Sequence, residues 1–101
     1  MPITLKININ KNTQPSPPAK FDPNPLAASA RDQIFWTNND SVAHWPGLLK
    51  DDGSVDQMSI MPNQIAPNGD TSQSFSPSSG PVTLKYACFI HPTEQGTIDV
   101  A

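Results

Sequence analysis

Three side chains able to bind a metal or to act in nucleophilic catalysis stand out because cysteine and histidine are rare in this chain. One cysteine and two histidines occur among 101 residues: Cys88, His44 and His91. Two residues separate Cys88 from His91 just after a strand pattern, and His44 follows an earlier one. A thiolate with two imidazoles suits copper in electron transfer, because thiolate favours Cu(I) and imidazole tolerates both oxidation states. From residue type alone, an inert buried thiol and a nucleophilic Cys88–His91 pair stay open.

Short strands joined by loops are expected to position these side chains. Twelve prolines and five glycines oppose helix interiors, so a helix bundle is improbable. Six stretches show alternating or β-branched and aromatic patterns: 3–9, 33–38, 42–49, 71–75, 82–88 and 97–100. Pro46-Gly47 is expected to break the third of them, and the proline-rich stretch 11–25 to be extended or looped, with Phe21 as an anchor in the core. We predict an all-β sandwich of about six to eight strands in a single domain, residues 1–101.

Composition excludes several functional classes. Six basic against nine acidic residues give a net charge of −3, which argues against a nucleic-acid-binding surface. No apolar stretch reaches the roughly 18 residues that a membrane span needs. A single cysteine excludes an internal disulfide framework. Residues 1–7 lack the basic and apolar regions of a signal peptide, so none is expected in this chain.

The end of the chain resembles the copper-binding region of the cupredoxins, the blue copper proteins. Residues 86–100 read Tyr-Ala-Cys-Phe-Ile-His-Pro-Thr-Glu-Gln-Gly-Thr-Ile-Asp-Val. The family pattern is Tyr-x-Cys-x-x-His-Pro-x-Met-x-Gly-x-(Ile or Val)-x-Val, with the short spacing of the plastocyanin- and amicyanin-like type. Residues 32–44 resemble the family's approach to its first histidine, and residues 65–71 the turn before its penultimate hairpin. The resemblance implies a cupredoxin-like Greek-key β-sandwich.

The resemblance also implies a site for one copper ion. His44, Cys88 and His91 correspond to the family's equatorial ligands, and Glu94 stands where the family has its axial methionine. A carboxylate is anionic and hard, so it stabilises Cu(II) more than Cu(I). We therefore expect a lowered reduction potential and a green, yellow or red site rather than an intensely blue one. Cysteine, two histidines and a glutamate also suit zinc, which is a possible substitute.

The sequence leaves two alternatives to an axial glutamate open. In one, Glu94 points into solvent, and the axial place is empty or taken by a backbone carbonyl such as that of Ala43. In the other, the neighbouring Gln95 provides an amide, which is a known axial substitute.

The chain departs from the family at two further positions beside the ligands. Trp45 follows the first histidine, where the family usually has asparagine, and Phe89 follows the cysteine, where serine or threonine is common. We predict that an aromatic contact replaces the polar connection between the two loops. The backbone N–H of Trp45 is expected to donate to the Cys88 sulfur.

By resemblance, the chain is a one-electron carrier rather than an enzyme. The alternatives are a module that holds or handles copper or zinc, and a red-copper-like site with an open position for a small ligand. The expected partners are redox proteins docking near His91, Pro92 and Trp45. Family resemblance places the protein in the periplasm or outside the cell.

Overall fold

Two β-sheets account for all the regular structure that the computed structural model describes, which covers residues 2–14 and 17–101. The first sheet has the order β2-β1-β4-β7 and consists of β1 (Thr4–Lys11), β2 (Ala19–Asp22), β4 (Gln33–Asn38) and β7 (Asp70–Thr71). The second sheet has the order β3-β9-β8-β5-β6 and consists of β3 (Leu26–Ala28), β5 (Pro46–Leu49), β6 (Val55–Asp56), β8 (Val82–Cys88) and β9 (Gln95–Val100). Within the described residues, no helix has the length and apolar character to cross a membrane.

The two sheets enclose one hydrophobic core. Alternation along β1 places Ile7 and Ile9 in it, both fully buried. Trp36 of β4 and Tyr86 of β8 pack edge to face with ring centroids 5.4 Å apart, so an aromatic contact joins the two sheets. Phe21 contacts the same tyrosine at 4.8 Å, which confirms its expected role as an anchor.

Strand register brings together the two chain segments that carry the chemistry-bearing side chains. β8 and β9 form an antiparallel hairpin that ends at the Ala87–Gln95 pair. β5 pairs antiparallel with β8, and Pro46 lies opposite Cys88. The start of β5 therefore lies beside the end of β8, and the residues just before Pro46 face the β8–β9 loop.

The structure confirms the all-β sandwich and shows nine strands in its described part, slightly more than predicted. Strands 33–38 and 82–88 have the predicted bounds. Three strands are additional. β2 lies within the proline-rich stretch 11–25 that was expected to be extended or looped, β3 follows that stretch directly, and β6 was not predicted; Pro15 of that stretch lies outside the described residues. All three are short, with two to four residues, and lie at the edges of their sheets, where proline-flanked strands such as β2 and β3 are tolerated.

Pro46-Gly47 begins a strand instead of breaking one, so that part of the prediction was wrong. Proline is acceptable as the first residue of a strand, because its missing N–H leaves the remainder of the ladder intact. A Cβ atom at Gly47 would collide with the Asp56 carbonyl of β6. Glycine at position 47 therefore permits the close approach of β5 and β6.

Candidate metal centre

Four residues place one potential ligand atom each around a single point. His44, Cys88, His91 and Glu94 contribute atoms that all lie within 4.8 Å of one another. Cys88 Sγ is 3.6 Å from His44 Nδ1 and 3.8 Å from His91 Nδ1. Glu94 Oε1 lies 2.9 Å from His44 Nδ1 and 3.4 Å from His91 Nδ1. The structure therefore brings together all four residues that the sequence singled out.

Three of these residues belong to one short loop that hydrogen-bonds to itself. Cys88 ends β8, and Glu94 directly precedes β9. The Cys88 N–H donates to the Glu94 carbonyl at 3.0 Å, and the Glu94 N–H donates to the His91 carbonyl at 2.9 Å. Because the β8–β9 pairing sets both ends of the loop, these bonds direct the thiol and the carboxyl towards the same interior point.

The fourth residue, His44, comes from the connection between β4 and β5. Its backbone forms a reciprocal pair with Ile65, with N–H to carbonyl distances of 3.2 and 2.7 Å. The buried Asn38 amide nitrogen supports this connection by donating to the carbonyls of Val42, Ile65 and Ala66. A single amide therefore joins two loops behind the histidine, which holds its backbone in place.

Asp40 orients the His44 ring. Its Oδ2 lies 2.8 Å from His44 Nε2, and its Oδ1 accepts the Ser41 N–H at 2.7 Å. Both Asp40 and His44 are buried. A carboxylate on one ring nitrogen fixes the tautomer and leaves the other nitrogen to act as a ligand. The sequence analysis did not predict this role of Asp40. The one signal in the sequence is that Asp40 lies four residues before His44.

Electrostatic interactions favour a protonated His44 in the metal-free protein. Burial alone would lower the pKa of His44, but contact with Cys88, Glu94 and Asp40 outweighs it and raises the pKa to about 10. Burial likewise opposes ionisation of Asp40, yet His44 and the Ser41 N–H lower the pKa of that carboxyl. Positive charge is therefore stabilised where the four residues meet.

The carboxyl group of Glu94 lacks a partner suited to its burial. Glu94 is 1% exposed, and neither carboxylate oxygen has a hydrogen-bond partner among the described residues. The contact with His44 Nδ1 is at ion-pair distance without hydrogen-bond alignment. A buried carboxylate needs a compensating charge, which protonated His44 supplies in the metal-free protein and a bound cation would supply in its place. Cysteine, two histidines and a carboxylate form a donor set that fits copper or zinc.

These positions show which side chains lie close enough to the cluster to be a fourth ligand. Glu94 lies inside, so the alternative that placed it in solvent is wrong. Gln95 is exposed, and its side chain donates to the Pro92 carbonyl at 3.2 Å, so it lies outside the cluster. The strand alternation that buries Glu94 turns Gln95 outward.

The predicted contacts beside the cysteine are present. The Trp45 N–H donates to Cys88 Sγ at 3.3 Å. The rings of Trp45 and Phe89 meet edge to face with centroids 6.1 Å apart, and the Phe89 N–H donates to the Trp45 carbonyl at 2.7 Å. An aromatic contact therefore joins the two loops at the two positions where the family's usual residues are absent.

Solved structures similar to this chain are cupredoxins. A purple cupredoxin from Nitrosopumilus maritimus is 26% identical, aligns over 96% of this chain and 99% of its own, and has a TM-score of 0.76. Amicyanin from Paracoccus versutus is 17% identical, aligns over 97% of this chain and 81% of its own, and has a TM-score of 0.70. No protein-family model matches the sequence, and no curated protein is similar to it.

Proposed function

We propose that this chain, which has the cupredoxin fold, binds one copper ion and carries single electrons between redox proteins. The observation that supports this most directly is the convergence of a thiol, two imidazoles and a carboxyl group within 4.8 Å of one another. Copper bound there would supply a one-electron Cu(I)/Cu(II) couple. In this role the protein is not an enzyme.

The chain's own residues hold the four donors in place and exclude water from three of them, His44, Cys88 and Glu94. His44 and Cys88 are fully buried, and they come from loops joined by the β5–β8 pairing. Asp40 holds the His44 ring, and the Trp45 N–H holds the Cys88 sulfur. Donors that barely move between oxidation states keep the reorganisation energy of electron transfer small.

Electrons would enter and leave through the one proposed ligand that reaches the surface. The His91 side chain is 31% exposed, whereas that of Glu94 is fully buried. Phe89 and Ile90 are each 42% exposed beside it, and no residue from Phe89 to Thr93 carries a formal charge. An uncharged surface around an exposed imidazole suits brief docking of a redox partner, with Pro92 and Trp45 at its border.

Glu94 is proposed as the axial ligand that separates this site from a blue one. An anionic oxygen donor stabilises Cu(II), so the reduction potential is expected to be lower than with methionine. Glu94 bound to copper would also weaken the copper–thiolate overlap that gives an intense blue colour. The Nitrosopumilus protein is described as purple, which supports a colour other than blue for a chain of similar sequence.

Two further proposals concern the whole chain. Residues 1–101 form a single domain, as the shared core of the two sheets suggests. The protein works in the periplasm or outside the cell, where copper is available to proteins of this fold.

Copper titration of the metal-free protein tests the proposed function. Visible and electron paramagnetic resonance spectra are recorded for the parent, Glu94→Met and Glu94→Gln. We expect binding of one copper ion in each, with an intensely blue spectrum and a higher potential only for Glu94→Met. A parent protein that is already intensely blue, with spectrum and potential unchanged in Glu94→Met, would show that Glu94 is not the axial ligand. Failure to bind copper at all would refute the function itself.

A metal-holding module is the second candidate, and the buried carboxyl of Glu94, which has no hydrogen-bond partner among the described residues, favours it. The Glu94 carboxylate would complete a closed set of four protein donors, which is typical of structural zinc sites. Competition between zinc and copper(I) for the metal-free protein distinguishes the two functions. Tighter binding of zinc, together with slow electron exchange of the copper form, would favour the module over the carrier.

A further inference from the structure

Trp45 contacts three different parts of the site at once. Its backbone N–H donates to Cys88 Sγ at 3.3 Å, and its backbone carbonyl accepts the Phe89 N–H at 2.7 Å. Its indole Nε1 donates to the Met61 carbonyl at 3.2 Å. Its ring also meets Phe89 edge to face. The side chain is therefore held both at its indole nitrogen and by a ring contact.

The Met61 carbonyl is a firm anchor for the indole. Met61 and Ile65 are each 2% exposed and belong to the hydrophobic core. The same segment forms the reciprocal backbone pair between Ile65 and His44. The segment that accepts the indole hydrogen bond therefore also pairs with the backbone of His44, the first proposed ligand. Trp45 connects this segment to the cysteine loop through its contact with Phe89.

We propose that Trp45 is a positioning residue that holds its own backbone N–H on the Cys88 sulfur. The Trp45 clamp consists of the indole bond to Met61 and the ring contact with Phe89. This inference rests on the proposed copper site, since it concerns how the thiolate is presented to the metal. In this chain the Trp45 side chain connects the two loops, because the asparagine and the serine or threonine that are usual in the family are absent.

The clamp has a defined chemical effect. An N–H directed at a thiolate withdraws electron density from sulfur, and hydrogen bonding around this sulfur is one of the factors that tune the potential of such copper sites. A thiolate that donates less to Cu(II) makes reduction easier. Loosening the clamp should therefore lower the reduction potential, while the four proposed ligands stay in place.

A metal-free experiment tests the clamp independently of copper. Amide hydrogen exchange is followed by NMR in the metal-free parent, Trp45→Phe and Trp36→Phe. Trp45→Phe removes the indole donor and keeps an aromatic ring, and we expect the amide of residue 45 to exchange about twofold to tenfold faster. Trp36→Phe is the matched control, because it makes the same change at a tryptophan that is buried in the core against Tyr86 and so reports the effect of losing a buried indole on the fold as a whole. Unchanged exchange in Trp45→Phe, or an equal increase in Trp36→Phe, would overturn the proposal.

The copper-loaded protein provides the second measurement. We expect Trp45→Phe to lower the reduction potential and to shift the sulfur-to-copper absorption, with Trp36→Phe unchanged. Phe89→Leu, at a position 42% exposed and therefore tolerant of substitution, should shift the potential in the same direction by a smaller amount. A potential that stays at the parental value in both Trp45→Phe and Phe89→Leu would refute the clamp. Because the exchange experiment needs no metal, failure of copper binding would refute only the proposed function.

Discussion

Asp40 and His44 form a buried carboxylate–imidazole pair, with Oδ2 2.8 Å from Nε2. Glu94 Oε1 lies 2.9 Å from the other nitrogen of the same ring, so one histidine is held between two carboxyl groups. The Asp40 carboxylate belongs to the His44 loop and the Glu94 carboxylate to the β8–β9 loop. The hydrogen bond to Asp40 therefore fixes one side of the ring, and the Glu94 carboxyl lies beside the other.

Asp40→Asn should weaken metal binding while keeping the fold. The amide oxygen can still accept the His44 N–H, but the negative charge that makes the imidazole a stronger donor is gone. We expect copper affinity to fall by about 10-fold to 100-fold and the reduction potential to rise. Competition with a chromophoric chelator measures the affinity. Asp52→Asn, at an exposed turn, is the matched control, and equal affinity in both variants would contradict the orienting role of Asp40.

Metal binding should remove the proton of His44 from Nδ1 and leave the one on Nε2. In the metal-free protein the pKa of His44 is raised to about 10, so both ring nitrogens carry protons at neutral pH. Only Nδ1 faces the other donors, and Nε2 donates to Asp40. Long-range 1H–15N spectra before and after addition of zinc, which is diamagnetic, detect the change. Loss of the Nε2 proton instead would show that the ring binds in the opposite orientation.

Stability of the metal-free protein should fall as pH rises from about 6.5. The folded state binds the His44 proton more tightly than the unfolded state does, because the pKa of His44 is raised from 6.5 to about 10 on folding. This stabilisation is fully present below about pH 6.5 and is lost as pH approaches 10. Thermal unfolding between about pH 6.5 and pH 9 in the presence of a chelator measures it. His44→Gln should flatten the dependence, and an equally steep fall in that variant would assign the effect to other groups.

Gly96→Ala should destabilise the fold through Tyr86. A Cβ atom at position 96 would collide with the Tyr86 phenol ring at its hydroxyl end. Tyr86 is fully buried against Trp36 and Phe21, so the ring cannot move aside easily. We expect a loss of about 1–3 kcal/mol in the free energy of unfolding, measured by urea denaturation. Gln95→Ala, at the exposed neighbouring position, should change the free energy by less than about 0.5 kcal/mol.

Local spacing made most of the proposed site predictable. Cys88, His91 and Glu94 occur within one loop, so their convergence depends on a single hairpin. Placing His44 beside them needed the family resemblance, because its partner Cys88 is 44 residues away. Chain alternation then buries Glu94 and exposes Gln95, which the residue types alone could not decide.

The supporting contacts were not predictable, because they depend on how loops far apart in sequence are folded. The direction of the Asp40 carboxylate depends on the backbone that the Asn38 amide holds across two loops. The Trp45 indole donates to a carbonyl 16 residues further along the chain, in a segment without a strand pattern. Every residue type has a main-chain carbonyl, so the sequence does not indicate which carbonyl will accept a hydrogen bond.

The separation of the four donors along the chain also determines the order in which the site can assemble during folding. Cys88, His91 and Glu94 follow one another at intervals of three residues, whereas His44 is 44 residues from Cys88. Closing the long connection costs about 2 kcal/mol more chain entropy than closing the short ones. The β8–β9 hairpin can therefore gather three donors before the two sheets have packed. His44 would then join the other three donors last, when β5 pairs with β8.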